Sequence, residues 1–138
     1  MIITATVAVS TKGFTDIVDL TPPTRDRLRE SGLQNGTATI FVSGSTAAVT
    51  TIEFEPGLLE DLPALFEKIA PMKMRYAHDD TWGDGNGFAH VRAALVGPSL
   101  VVPFARGELL LGTWQQIVLV DFDNRPRRRE IVVQFNGG

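Results

Sequence analysis

The segment from His78 to His90 concentrates side chains that bind metals and move protons. It reads His-Asp-Asp-Thr-Trp-Gly-Asp-Gly-Asn-Gly-Phe-Ala-His, and its two ends are the only histidines of the chain. Its three glycines allow the backbone to turn back on itself, so both imidazoles can face one small volume. We expect a loop held by a rigid scaffold, which is where binding and catalytic groups are usually found.

Two classes of divalent metal suit these side chains. Neutral imidazoles of His78 and His90 can bind Zn²⁺, with a carboxylate such as Asp84 or Asp80 as the third ligand. The oxygen-rich neighbours alternatively suit Mg²⁺, which prefers carboxylates, water and substrate phosphates. The spacing matches no standard zinc motif. An equally acceptable interpretation is that the histidines cap strand ends and the aspartates are solvated turn residues.

Three further positions are candidates for chemistry. Glu53 ends an apolar strand. It could serve as a general base or as a metal ligand, or it could be an exposed strand end without a chemical role. Ser45 and Thr46 belong to a small hydroxylic turn whose N–H and hydroxyl groups could hold a phosphate. Trp114 offers a flat wall for a ring and Gln115 offers amide contacts, although core packing is the usual role of tryptophan.

The basic run Arg125–Arg129 is typical of a solvated turn, and it could also bind phosphate or a neighbouring subunit's carboxylates. No Ser-His-Asp arrangement, P-loop or dinucleotide fingerprint is present.

Composition narrows the class of protein. The chain has 138 residues, 43% hydrophobic content, 21% charged content and a net charge of −3, which predict one globular domain over residues 1–138 and no general nucleic-acid binding. With no cysteine, disulfides, thiolate nucleophiles and Cys-ligated zinc are excluded. The start at Met1 does not resemble a secretion signal, and no apolar run approaches the ~20 residues of a membrane span. We therefore expect a cytoplasmic protein with no membrane partner.

Two helices and many strands must position these groups. Thr21 and Pro22 predict a helix start with a capping hydroxyl, and Gly32 predicts its end. An apolar stripe from Leu58 to Ile69 predicts a second helix, with a loose first turn, Asp61 near the N-cap and Pro63 as an awkward interior residue. β-Branched and apolar runs predict strands over 2–10, 14–20, 36–42, 46–54, 91–96, 99–104, 108–111, 115–122 and 129–135, the last two as a hairpin. This pattern predicts an α+β fold, a largely antiparallel sheet with two helices packed on it.

The run Ile117–Val120 is apolar on both faces of its predicted strand. Two helices can cover only one of these faces. Association with other copies of the chain, as a closed symmetric ring, is the simplest cover for the other face.

Three separated motifs resemble the YjbQ family. They are Gly44-Ser-Thr-Ala-Ala-Val-Thr-Thr-Ile-Glu53, the segment 78–90 and Leu111-Gly-Thr-Trp-Gln-Gln116, in this order. The resemblance extends over essentially the whole chain, and the ending Val120–Glu130 is similar to one branch of the family.

The resemblance implies a compact α+β subunit, a homotrimer and a secondary thiamine-phosphate synthase activity. In that reaction a pyrimidine pyrophosphate and a thiazole phosphate join, and pyrophosphate leaves. The histidines, aspartate and asparagine of the family motif fall on His78, Asp84, Asn86 and His90. Its strand-end glutamate falls on Glu53, and its Gly-Thr-Trp-Gln segment falls on 112–115.

The chain also departs from the family pattern. Many members carry histidine where Ser43 or Gly44 stands, and close relatives often carry histidine in place of Gly83 and Phe88. Fewer imidazoles weaken the expectation of tight transition-metal binding.

The first hypothesis is an enzyme acting on phosphorylated heterocycles with Mg²⁺ or Zn²⁺. Glu53, His78, Asp84 and His90 would handle the metal or protons. Substrate contacts would come from Ser45, Thr46, Asn86, Trp114 and Gln115. The alternatives are a non-catalytic trimer that binds a small phosphorylated ligand or metal, and a metal-dependent phosphate-ester hydrolase.

Overall fold

The computed structural model describes residues 1–138, which form four helices and eight strands. The helices are α1 (Thr21–Ser31), α2 (Pro56–Ile69), α3 (Ala77–Trp82) and α4 (Gly87–Val96). The strands are β1 (Ile2–Thr11), β2 (Asp16–Asp19), β3 (Gly36–Val42), β4 (Ala47–Ile52), β5 (Ser99–Ala105), β6 (Glu108–Leu109), β7 (Gln116–Asp121) and β8 (Arg127–Gly137).

The strands form two sheets in which every pairing is antiparallel. One sheet has five strands in the order β1-β8-β3-β5-β6, and the other has three in the order β2-β7-β4. The predicted α+β class with antiparallel pairing is confirmed. The predicted number of helices, two, is wrong because the segment around the histidines is helical.

The two sheets pack face to face over one apolar core. Alternate residues of β7, such as Ile117 and Leu119, meet Ile131 and Val133 of β8 in this core, and all four are fully buried. Leu28 of α1 closes the same core. The hydrophobic area removed from water here is the main stabilising contribution to the sandwich.

The opposite face of the three-stranded sheet is covered by the remaining helices. Val118 and Val120 of β7 lie in a second core with Phe66 of α2 and Phe88 of α4. The run Ile117–Val120 is thus fully buried within a single chain. The expectation that other subunits cover one of its faces is wrong, because the second sheet covers one face and α2 and α4 cover the other.

The predicted strand 91–96 is the second half of helix α4. Its buried alanines, Ala89 and Ala93, are spaced by four and lie against the sheet, which is a helical period. The valines Val91 and Val96 favoured a strand in the sequence, but packing decides the conformation of so short a segment.

Helix α1 begins at Thr21 as predicted, but its predicted cap and the predicted start of α2 are wrong. The side chain of Thr21 does not cap α1, since its hydroxyl accepts the Ile117 N–H at 2.8 Å and thereby ties the helix to β7. Helix α2 begins at Pro56, and its N-cap is Glu55, whose carboxylate accepts the N–H groups of Gly57 and Leu58, so Asp61 lies inside the helix. Pro63 is accommodated within that helix.

The predicted hairpin of residues 115–122 with 129–135 is also wrong, because these two strands do not pair with each other. The turn at residues 123–126 exists, but β7 belongs to the three-stranded sheet and β8 to the five-stranded sheet. The chain therefore crosses between the sheets at this turn. None of the helices is long and apolar enough to span a bilayer.

The interlocking of sheet and helices can be tested at Phe122. This fully buried ring meets Phe66 edge-on at a centroid distance of 4.8 Å. Phe122→Ala should lower the free energy of unfolding by about 3–5 kcal/mol, because it leaves a cavity between the helical layer and the sheet. Leu65→Ala, at a half-exposed position of α2, is the control and should cost less than about 1 kcal/mol in the same denaturant titration. Equal costs would contradict this packing.

Candidate functional site

The two histidines meet because α3 and α4 form a helix–turn–helix. His78 lies in the first turn of α3, and His90 lies in the first turn of α4. Gly83 ends α3 in the left-handed conformation with φ 71°, which turns the chain back toward α4. The imidazole ring centroids are 4.2 Å apart and the ring planes are tilted by 38°. The expected convergence of the imidazoles is therefore present, although helices and a short turn replace the predicted loop.

Two carboxylates converge on one nitrogen of this pair. The Nδ1 atom of His78 lies 3.5 Å from Oδ1 of Asp79 and 3.7 Å from Oδ1 of Asp84. Ligand atoms of the three residues all lie within 4.8 Å of one another. Tetrahedral ligands at about 2.1 Å from a zinc ion are roughly 3.4 Å apart, so the donor spacing fits a divalent ion after small adjustments.

Asp80, the other carboxylate considered from the sequence, has a different partner. Its side chain forms an ion pair with Arg75 and is about half exposed. Of the aspartates in the segment, Asp79 and Asp84 approach His78.

Two buried polar atoms at the site have no hydrogen-bond partner. They are Nδ1 of His78 and Oδ1 of Asn86. A buried donor or acceptor without a partner costs about 1–3 kcal/mol, so most such atoms in folded proteins are satisfied. Both atoms are of types that bind metals or accept and donate hydrogen bonds to a ligand. The residues therefore fit a bound cation or polar ligand.

His90 lies beside His78 and lines an open cleft, which we call the histidine cleft. The cleft has a volume of about 390 Å³ and is lined by His90, Gly44, Ser45, Pro98 and small residues of α4. Burial lowers the pKa of His90, the neighbouring His78 lowers it further, and the carboxylates of Asp84, Asp123 and Asp79 oppose the change. A lowered pKa keeps the imidazole neutral, the form that binds a metal or accepts a proton.

The turn after β7 fastens the helix–turn–helix to the sheets. Asn124 donates its side-chain N–H to the Asp84 carbonyl at 2.8 Å, and Asn86 donates to Oδ1 of Asp123 at 3.3 Å. Within the helical pair, Asp79 accepts the Gly87 N–H at 2.8 Å. Asp79 thus joins α3 to the start of α4 in addition to facing His78.

Two fully buried carboxylates lie beneath the site. Asp121 accepts two N–H groups of Arg129, at 2.7 and 2.9 Å, and the Thr11 hydroxyl at 2.6 Å. Burial acts to raise the pKa of Asp121, but the hydrogen bonds from Arg129 and Thr11 outweigh it, so the pKa lies below its ordinary value. The pKa of Asp123 is also lowered. Burial acts to raise it, but the hydrogen bonds that Asp123 accepts from Asn124 and Arg127 outweigh burial.

Ser45 and Thr46 have different positions. Ser45 lines the cleft beside His90. The Thr46 hydroxyl is buried, donates to Asp123 at 3.1 Å and accepts from Arg129 at 2.6 Å. Thr46 therefore supports the buried carboxylates, and its hydroxyl has no direction left for a substrate phosphate.

Glu53, Trp114 and Gln115 do not join the histidines within one chain. Glu53 and the largely exposed Trp114 line a separate cleft with Asp19 and Glu55. It lies at the far end of β4 from the histidine cleft, about 20 Å along the strand. The Gln115 amide is used locally, since it donates to Thr51 and accepts the Gly112 N–H. Within a single chain, Glu53 therefore lies in a different cleft from His90.

The departures from the family pattern have structural consequences. Phe88 is buried in the helical core and stacks near Arg92, so it does not face the imidazole pair. Gly83 is left-handed with open space around it, and a side chain there would strain the turn. A Cβ at Gly44 would lie 2.9 Å from Nη1 of Arg129, so a larger residue requires that arginine to shift.

Sequence reasoning missed Asp79 as a site residue and Asp121 and Asp123 as its foundation. For Asp79, the available signal is that it directly follows His78 in the sequence, within the segment that forms α3. For the other two, the alternation of acidic and apolar residues in Val120–Asp123, followed by Arg127 and Arg129, is the available signal.

The fold and site define an α+β sandwich that carries an imidazole–carboxylate cluster on a helix–turn–helix. Its fold is shared with a YbjQ-like protein of unknown function from Sulfolobus solfataricus, with a TM-score of 0.94 and 33% identity over 100% of this chain and 99% of that one. A YjbQ/UPF0047 protein from Clostridium acetobutylicum superposes with a TM-score of 0.87 at 30% identity, covering 96% of this chain and 99% of the other.

Sequence comparison leads to the same group. The family profile described as UPF0047 protein YjbQ-like matches residues 5–138. A UPF0047 protein of Archaeoglobus fulgidus is 40% identical over 119 residues, which are 86% of this chain and 90% of that protein. The chain belongs to the YjbQ (UPF0047) family, and the resemblance seen in the three motifs is confirmed.

The buried ion pair beneath the site can be tested with Asp121→Asn. The substitution removes the closer of the two carboxylate charges that face Arg129, at 2.7 Å against 3.8 Å for Asp123, so the free energy of unfolding at pH 7 should fall by about 3 kcal/mol. Because the folded-state pKa of Asp121 is lowered, its stabilisation is present above the unfolded value of about 3.9 and disappears as pH falls through the folded value. The difference between wild type and variant, measured by urea titration, should therefore shrink on acidification below about pH 4. Asp26→Asn, on the exposed face of α1, is the control and should change stability by less than about 0.5 kcal/mol.

Proposed function

We propose that His78, Asp79 and Asp84 bind a divalent metal beside the histidine cleft, that this cleft binds a small phosphorylated substrate, and that the protein acts as a thiamine-phosphate synthase-like transferase. The observation that carries the metal assignment is the buried, unpartnered Nδ1 of His78 facing the carboxylates of Asp79 and Asp84. The family resemblance supports the reaction, in which a pyrimidine pyrophosphate and a thiazole phosphate join.

The donor set favours Zn²⁺ over Mg²⁺. An imidazole nitrogen suits Zn²⁺, whereas Mg²⁺ prefers oxygen ligands and water. His78, Asp79 and Asp84 would hold the ion, and His90 is close enough to His78 to be a fourth donor or to remain free beside the cleft. A bound cation would supply positive charge to the departing pyrophosphate, whose accumulating negative charge is the main barrier.

The residues of the chain provide three supporting functions. Ser45 and Gly44 line the cleft together with residues of α4, and their N–H and hydroxyl groups can orient a phosphate. The neutral imidazole of His90 can accept or return a proton at the cleft wall. Asn86 donates to Asp123, which leaves its buried Oδ1 free to accept a hydrogen bond from a ligand.

One observation favours a second candidate, a metal-dependent phosphate-ester hydrolase or a binder without turnover. Trp114 and Glu53, which were assigned to ring stacking and proton handling, lie in a separate cleft of the same chain. A single subunit thus offers metal donors and a phosphate-sized cleft but no stacking surface beside them. The homotrimer implied by the family resemblance is part of the proposal, since another subunit could bring its Trp114 to this cleft.

Metal binding is the first test. Titration of chelator-treated protein with Zn²⁺ in a calorimeter should give one site per chain, and His78→Ala should weaken it by about 100-fold or more through loss of a ligand. Asp80→Asn is the matched control, since Asp80 is in the same helix but pairs with Arg75, and its affinity should stay within about twofold of wild type. Unchanged affinity in His78→Ala would remove the metal assignment.

Turnover is the second test. Wild-type protein supplied with both thiamine precursors and Zn²⁺ or Mg²⁺ should form thiamine phosphate, detected by oxidation to fluorescent thiochrome. His78→Ala and His90→Ala should each lower the rate by at least about 100-fold, because they remove the metal donor and the proton-handling imidazole, while the elution volume on gel filtration stays that of wild type. Release of inorganic phosphate from simple phosphate esters without thiamine phosphate would favour the hydrolase, and saturable binding without either product would favour the binder.

A further inference from the structure

A second cleft, remote from the histidines, is lined by three arginines. Arg25 and Arg29 come from α1, Arg106 comes from the turn between β5 and β6, and the remaining lining includes Glu108. The cleft volume is about 320 Å³. Three positive charges and one negative charge give the lining a charge of +2, although the whole chain carries −3. The cleft is therefore a local concentration of positive charge in an acidic protein.

Little inside the protein neutralises these arginines. The guanidinium groups of Arg25 and Arg106 form no ion pair or side-chain hydrogen bond, and Arg29 reaches only Asp26, at 3.4 Å between largely exposed groups. Arg25 and Arg29 are four residues apart on one helix, a spacing at which like charges destabilise the helix. A bound anion would relieve this repulsion.

The backbone of Arg106 has a conformation that is unfavourable for a residue with a side chain. Arg106 and Gly107 form a two-residue turn in which both φ angles are positive, 53° and 73°, between the paired residues Ala105 and Glu108. Such turns normally place Asn, Asp or Gly at the first position, because a larger side chain is strained there. Glycine would adopt this conformation without strain. The presence of arginine at this exposed turn is therefore consistent with a function of the Arg106 side chain.

We propose that this cleft, the arginine cleft, binds a small phosphorylated molecule through the guanidinium groups of Arg25, Arg29 and Arg106. Planar guanidinium groups donate paired hydrogen bonds that match phosphate oxygens. Glu108 limits the positive charge and can accept a hydrogen bond from a hydroxyl group of the ligand.

The arginine cleft is distinct from the histidine cleft. Strand β5 separates Pro98, which lines the histidine cleft, from Arg106, a distance of about 25 Å along the chain direction. The proposal therefore does not depend on the proposed metal chemistry.

Inorganic pyrophosphate is a suitable probe, used at low ionic strength on metal-stripped protein so that the histidine cleft cannot hold it through a metal. Binding should be saturable by calorimetry, and the NMR signals of the Arg106 side chain and the Gly107 N–H should shift. Arg106→Gly should weaken the affinity by about tenfold or more, because it removes a charged donor pair. Glu108→Gln should strengthen it, because it removes the only negative charge of the lining.

Thermal unfolding separates loss of binding from loss of folding. Glycine adopts positive φ without strain, so Arg106→Gly should raise the Tm of the free protein by about 2–5 °C while binding is lost. Arg128→Gln, which removes the same charge from an exposed position of β8, is the matched control and should keep wild-type affinity. Equal weakening in Arg106→Gly and Arg128→Gln would show only a diffuse charge effect and overturn the proposal, as would unchanged affinity in Arg106→Gly.

Discussion

The buried pairing of Asp121 and Asp123 with arginines and hydroxyl groups is the interaction on which the rest of the structure depends. Three of the places where the chain passes between the two sheets meet at these carboxylates. Thr11 comes from the crossing between β1 and β2, Thr46 from that between β3 and β4, and Arg129 from that between β7 and β8. Because an unpaired buried charge is costly, the crossings must form together, and each carboxylate is satisfied only when the two sheets are correctly stacked. Gly13 fits the same junction, where a Cβ atom would lie 2.7 Å from the Asp123 carbonyl oxygen.

The candidate site is built on this junction. Asp123 holds Asn86, and the neighbouring Asn124 holds the turn between α3 and α4, so the helix–turn–helix that carries both imidazoles is anchored to the point where the sheets meet. Rigid support of this kind matters for a site whose donors must lie within a few tenths of an ångström of a metal's requirements. It also explains why polar groups are buried beneath the imidazoles in a region that an ordinary core would fill with apolar side chains.

Polar groups with free hydrogen-bonding capacity are distributed over separate parts of the surface. The histidine cleft has metal donors and small residues, the cleft at Glu53 and Trp114 has carboxylates and an exposed ring, and the arginine cleft is positively charged. A long sandwich places strand ends far apart, so residues on one strand, such as Ala47 and Glu53 at the two ends of β4, serve different clefts. Motifs that recur together in a family therefore need not meet within one chain.

The sequence by itself determined the α+β class, the antiparallel strands, the family and the convergence of His78 and His90. These follow from local patterns: β-branched runs, the apolar stripe of α2, and glycines that can turn the chain. Only the tertiary structure decided that the segment 87–96 is a helix, that β7 and β8 belong to different sheets, and that Asp79 rather than Asp80 faces the imidazole. The physical reason is that each of these outcomes depends on burial against residues distant in the chain, which overrides local preference.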